Sequence, residues 1–136
     1  MNSSYFLKFV FLILISVTFK SHAQTSTMCD GGLPGFISDP QEYTINPKEN
    51  SVYDVIFYPG FTYRIKLCTK NTPAKLEFNL VDEKGNTQFT KNIEVGFFRD
   101  FEFDTLFHGK IIIKPLDSSI KEAQLLIGYK KKKKEN

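Results

Sequence analysis

From residue 52 onward the chain alternates apolar and polar side chains, and this alternation decides the fold class. Phe61, Tyr63, Ile65 and Leu67 interleave with Thr62, Arg64, Lys66 and Cys68, while Leu76, Phe78 and Leu80 interleave with Lys75, Glu77 and Asn79. Successive side chains of a strand point to opposite faces, so each run reads as a strand with one buried and one solvated face. Val52–Tyr58, Thr87–Ile93, Arg99–Thr105, Lys110–Lys114 and Glu122–Tyr129 continue the series. Turn residues stand between them: Pro59-Gly60, Asn71-Thr72-Pro73, Asp82–Asn86 with Gly85 at an expected positive φ, and Pro115. Past residue 23 no segment sustains a helical period, and parallel strands would need crossover helices. Seven or eight short strands therefore predict an all-β, antiparallel β-sandwich over residues 51–129. Its expected core is Phe61, Tyr63, Ile65, Leu67, Leu76, Phe78, Leu80, Phe101, Phe103, Leu125 and Ile127.

Residues 1–23 set the expected compartment. Lys8, the apolar run Phe9–Phe19 and the small residues of Ser21-His22-Ala23 have the layout of a cleaved secretory signal peptide. The run is shorter than the roughly 20 residues a spanning helix needs. The expected product is soluble, periplasmic or secreted, and starts at Gln24. Cys29 stands too far behind the apolar run to be a lipidated first residue. In an oxidising compartment the chain's two cysteines, Cys29 and Cys68, should pair. That bond closes a loop of about 40 residues, worth roughly 4 kcal/mol in the chain-entropy model. It would pin residues 24–50, an irregular arm punctuated by Gly31–Gly35, Asp39-Pro40 and Asn46-Pro47, with a short strand near Tyr43–Ile45.

The formal charge of +3 conceals an uneven distribution. Residues 24–129 carry eleven basic and fourteen acidic side chains, whereas Lys130, Lys131, Lys132, Lys133 and Lys134 follow in one run. A slightly acidic body gives no nucleic-acid footprint. Residues 130–136 read as a disordered, solubilising tail, with weak binding to an anionic surface as the functional alternative.

Three segments carry a family resemblance. Tyr53–Ile65 resembles the strand–glycine turn–strand core of bacterial pre-peptidase C-terminal domains; Leu76–Asn86 is similar to their next strand and Asp-x-x-Gly turn; His108–Ile113 with Ala123–Tyr129 is similar to their closing pair. The resemblance implies a jelly-roll-like sandwich. The chain also resembles small standalone exported proteins of Gram-negative bacteria, and no protease domain accompanies the similar region. What carries over is fold rather than activity.

Residue types that carry chemistry are scarce. His108, the one histidine beyond the leader, is expected in a turn beside Gly109, without the Gly-x-Ser-x-Gly nucleophile motif or the further ligands of a zinc site. Asp100, Glu102 and Asp104 alternate along one strand face and are the candidate Ca²⁺ ligands, although i and i+2 on a strand lie roughly 7 Å apart. A solvated face paired with basic residues of the next strand accounts for them more simply. Tyr53, Phe57, Tyr58, Phe61 and Tyr63 cluster around Pro59-Gly60, and Tyr58, beside the turn, is expected to be exposed. The resulting expectation is a non-enzymatic binding module of the envelope or extracellular space, without cofactor, recognising a protein or glycan. The alternatives are a periplasmic hydrolase inhibitor acting through Gly31–Gly35 or Leu106–Gly109, and an envelope-assembly component that adds strands at an open edge.

Overall fold

A computed structural model describes residues 29, 32–37, 40–69, 75–93, 97–117 and 120–133. The expected signal peptide, residues 1–23, lies outside them, as does Lys134. Eight strands run among the described residues: β1 (Gln41–Ile45), β2 (Ser51–Phe57), β3 (Phe61–Thr69), β4 (Leu76–Asp82), β5 (Thr87–Ile93), β6 (Phe98–Glu102), β7 (Phe107–Pro115) and β8 (Ala123–Lys131). They form two four-stranded antiparallel sheets, ordered β1-β8-β3-β6 and β2-β7-β4-β5. The first strand pairs with the last, the second with the seventh, and so inward to the β4–β5 hairpin. This is a jelly roll, a long antiparallel ribbon doubled back and wrapped into two layers.

Alternation buries one face of each sheet. Val55 and Phe57 of β2, Ile65 and Leu67 of β3, Leu76, Phe78 and Leu80 of β4, Ile111 and Ile113 of β7, and Leu125 and Ile127 of β8 form a single core. Eight of the eleven expected core residues are buried; Phe61, Phe101 and Phe103 are half-buried and pack on its margin. Gly85 has φ of 84° and closes the β4–β5 turn, where Asp82 accepts backbone N–H bonds from Lys84 and Asn86.

Several local expectations change. Pro59-Gly60 does not join a hairpin: β2 and β3 lie in different sheets, so the turn is an arch between layers. Proline pre-sets the first φ, Gly60 supplies the positive φ of 84°, and the Tyr58 N–H donates to the Tyr63 hydroxyl at 2.8 Å. His108 is in β7 rather than a turn, because that strand begins at Phe107. Gly109 is required there, since a Cβ would strike the Val81 carbonyl and the Phe107 ring. The arm of residues 24–50 contributes β1, one edge of a sheet, which begins at Gln41, two residues before the expected strand. The lysine tail does not begin at residue 130: Lys130 and Lys131 are paired in β8 against Thr62 and Phe61. Backbone pairing recruits them because β3 extends far enough to offer ladder partners.

The cysteines pair as expected. Cys29 is bonded to Cys68 of β3, with Cα atoms 5.4 Å apart. Together with Leu33, Leu126 and the half-buried Phe36, they make a second small core on the outer face of β3 and β8. Gly128 permits this, since the Leu33 side chain occupies the space a Cβ would need. The disulfide is the chemistry of an oxidising, extracellular-type environment. No helix among the described residues is long and apolar enough to cross a membrane.

Candidate functional site

A cleft of about 600 Å³ opens between the two sheets where β1 stops short. β1 pairs with β8 only as far as Ile127; beyond it, the Ile37 N–H donates to the Tyr129 carbonyl at 3.0 Å. The open corner is lined chiefly by Tyr43, Tyr58, Phe61, Tyr63 and Tyr129, over a floor of Val55, Phe57 and Ile127. Four of the five tyrosines after residue 23 therefore converge here, and the fifth, Tyr53, packs on Tyr43 with centroids 4.7 Å apart. Tyrosine suits a surface that is apolar in body and polar at its tip.

The rings are held by one another. Phe61 meets Tyr129 edge-on at 5.4 Å, Tyr63 lies 6.1 Å from Tyr129, and Tyr63 packs on Phe57 at 4.5 Å. Phe57 stacks in turn on Phe103 and Phe107 of the core margin. Hydroxyls are fixed too: Tyr53 donates to the Thr44 carbonyl at 2.8 Å, and Tyr43 donates to Gln41 Oε1 at 3.3 Å. Tyr58 and Tyr129 stay 54% and 42% exposed, so flat ring surface faces solvent in a pre-formed recess. Gln41 and Asp54 add polar groups at its rim.

The outer face of the β1-β8-β3-β6 sheet holds the charged residues singled out in the sequence. Arg64 donates to Asp100 through Nε at 2.6 Å and Nη2 at 2.8 Å, a bidentate pair, while its guanidinium lies 4.5 Å from the Phe36 ring and 4.6 Å from Phe98. The Arg64 hydrogen bonds hold Asp100 below the usual carboxylate range, and the same pairing raises Arg64. Glu102 is lowered first by Lys132 Nζ at 2.7 Å and then by Thr62 Oγ1, which donates at 2.7 Å. The candidate Ca²⁺ ligands are thus not gathered for an ion. Asp100 and Glu102 are neutralised by cross-strand cations, and Asp104 lies past the end of β6. Among the described residues, no group of three or more His, Cys, Asp or Glu could hold a metal. His108 is exposed opposite Ile56.

The lysines divide by register. Lys130 lies over Phe36 at 4.7 Å and Lys132 binds Glu102, both on the outer face. Lys131 and Lys133 line a second recess with Pro59, Gly60, Phe61 and Lys132, whose ammonium is taken by Glu102, and Phe61 also walls the tyrosine cleft. Tyr58 is exposed at the cleft, as its place beside the turn implied. Alternation alone does not reveal Tyr129 as a lining residue, because it sets Tyr129 on one face with Leu125 and Ile127, and Tyr43 reads only as the start of a short strand. The available signal was their chemistry: a tyrosine hydroxyl seeks a polar partner, and a strand end is where it finds one.

No family model matches the chain, and no curated protein matches it. Among solved structures it is similar to a de novo designed double-stranded β-helix, at 19% identity and TM-score 0.43 over 68% of this chain and 100% of that one. It is also similar to the Yersinia pseudotuberculosis-derived mitogen, at 15% identity and TM-score 0.49 over 72% and 92% of the two chains.

Proposed function

We propose that this chain is an exported, non-enzymatic recognition module that binds a glycan of the envelope or extracellular space in the tyrosine cleft. The carrying observation is the pair of solvent-facing rings, Tyr58 and Tyr129, set in a recess whose other walls are also aromatic. Sugar rings offer C–H faces that stack on such surfaces and hydroxyls that bond to groups placed like Gln41 and Asp54. The volume falls inside the roughly 300–1,000 Å³ that small-ligand sites occupy. Rings already locked by stacking keep the ordering cost of binding low.

The inhibitor alternative loses support, because the described part of one loop, 32–35, leads into the disulfide-pinned patch, and most of Leu106–Gly109 is β7. A second reading rests on β2. Among the described strands β2 is a sheet edge, and it exposes Val52 and Ile56 (52% and 49%), the features of a strand-addition edge in an envelope assembly.

The chain has no tryptophan, so tyrosine emission reports the cleft directly. Titration with envelope-derived oligosaccharides should perturb that emission, and a Tyr58→Ala/Tyr129→Ala variant should lose binding while still melting cooperatively as a folded domain. Undiminished binding by that variant would remove the cleft from consideration. Export is checked separately by intact mass, which should place the mature N-terminus at Gln24.

A further inference from the structure

We infer that the glycan taken by the tyrosine cleft is acidic, and that Lys131 and Lys133, not Lys130 and Lys132, read its charge. The inference rests on the cleft being a glycan site, and it is carried by the register of β8. Leu125, Ile127 and Tyr129 occupy one face of that strand and Leu126, Gly128 and Lys130 the other. Strand alternation then sends the lysine run two ways. Its even members meet partners on the outer face: Lys130 lies 4.7 Å from the Phe36 ring centroid, and Lys132 is bonded to Glu102 at 2.7 Å. Lys131 continues the face of Ile127 and Tyr129, and Lys133 follows it.

This face leads out of the cleft. Beyond Phe61 the cleft gives way to a second recess of about 490 Å³, lined by Pro59, Gly60, Phe61, Lys131, Lys132 and Lys133. Phe61 belongs to both walls, so a chain stacked on Tyr129 and Phe61 continues directly between the lysines. The lysines are held in place by main-chain bonds: Lys131 is paired with Phe61, and the Lys132 N–H donates to the Gly60 carbonyl at 3.0 Å. The end of β8 therefore fixes Lys131 beside Phe61, and Lys133 follows the bonded Lys132 into the same recess. Asp54, the one acidic residue in the cleft lining, alternates to the outer face of β2 with Val52 and Ile56, where it faces Lys110 at 3.9 Å. The joined recess is thus positive at its Phe61 end, and the one acidic residue of the cleft lining is turned toward Lys110 of its own sheet. A polysaccharide with uronate, sialate or phosphate groups matches that polarity; a neutral one leaves the lysines without a partner.

The test is a glycan array bearing uronic-acid, sialylated, phosphorylated and neutral oligosaccharides, probed with the whole mature chain, followed by titration of the best ligand. Acidic glycans should be retained in preference to neutral ones of equal length. Lys131→Gln/Lys133→Gln should weaken the acidic ligand roughly tenfold, the yield of two exposed ion pairs. Added salt should erase the difference between that variant and the parent, because exposed pairs are screened. Lys130→Gln should leave affinity for the acidic ligand unchanged, and thermal melts should show every variant folded. If neutral glycans bind equally well, or the odd-numbered pair proves silent while Tyr129→Ala abolishes binding, the charge inference fails and the cleft survives. If Tyr58→Ala/Tyr129→Ala is silent, the cleft itself fails. Retention of anionic lipid vesicles with no glycan bound would overturn the inference in favour of a membrane surface.

Discussion

Replacing Phe78 by Ala should be the most damaging single truncation in the fold. Its side chain is completely buried in β4, at the centre of the sandwich, with Phe89, Phe97 and Phe101 at 6.0, 5.9 and 6.4 Å between centroids. Burying a phenyl ring removes at least about 150 Å² from water, worth roughly 4 kcal/mol at 25 cal/mol per Å². Truncation loses that transfer energy and leaves a cavity besides, which together place Phe→Ala at about 3–5 kcal/mol. The three neighbouring rings are only partly buried and can lean inward, so the lower half of that range is expected. Phe103 provides the internal control: it stacks on Phe107 at 4.6 Å but lies half-buried on the margin, so Phe103→Ala should cost about half as much.

Urea melts of both variants, with the disulfide intact and m-values compared to the parent, separate the two outcomes. A domain of this size has a total stability of about 5–15 kcal/mol, so Phe78→Ala should also lower Tm by on the order of 20 °C. A loss below about 1 kcal/mol for Phe78→Ala, or a larger loss for Phe103→Ala, would refute the placement of β4 in the middle of its sheet.

Further outcomes follow from the same structure. Reducing Cys29–Cys68, which closes a 39-residue separation, should cost about 4 kcal/mol in denaturant melts while far-UV dichroism keeps its β signature, since the bond pins an outer patch rather than the main core. Deleting 134–136 should leave the melting curve unchanged, whereas ending the chain at Tyr129 should destabilise it by about 1–2 kcal/mol, because the Lys130 and Lys131 ladder positions and the Lys132 bond to Gly60 go with it. Asp100 has its pKa lowered by Arg64, so the pair's stabilisation is fully present above the unfolded carboxylate value near 4 and is lost as pH falls through the lower folded value. Asp100→Asn should therefore be less stable than the parent at pH 7, by under about 1 kcal/mol for so exposed a pair, and the gap should close on acidification in a pH series of melts.

How far the alphabet of residues reached is clearest along β3 and β8. Ile65, Leu67, Leu125 and Ile127 were legible as core because alternation reports which face of a strand turns inward. It does not report which strand lies alongside. The chemistry of Pro59-Gly60 suits a hairpin and an inter-sheet arch equally, and only long-range pairing of β2 with β7 and β3 with β8 separates them. Leu126 and Cys68 break strict alternation because a second layer, Leu33 and Phe36 under the disulfide, covers the outer face there; the run Leu125-Leu126-Ile127 was the local trace of burial on both faces. The lysines were legible as charge but not as two sets, since the division depends on β8 outlasting the end of its apolar pattern.

Tyr129 shows why the site was the hardest part to foresee. By periodicity it is one more residue on the buried face, after Leu125 and Ile127. It becomes a site residue because β1 pairs with β8 only as far as Ile127, and Tyr129, bonded through its carbonyl to the Ile37 N–H, keeps its side chain 42% exposed where Tyr43 and Tyr58 line the same recess. A cleft made this way joins side chains of strands far apart in sequence, β1, β2, β3 and β8. Filling the recess from its aliphatic side with Ile37→Phe should occlude it while every lining tyrosine stays in place, and loss of the tyrosine emission response on titration would show that the shape of the recess, rather than ring identity alone, makes the site.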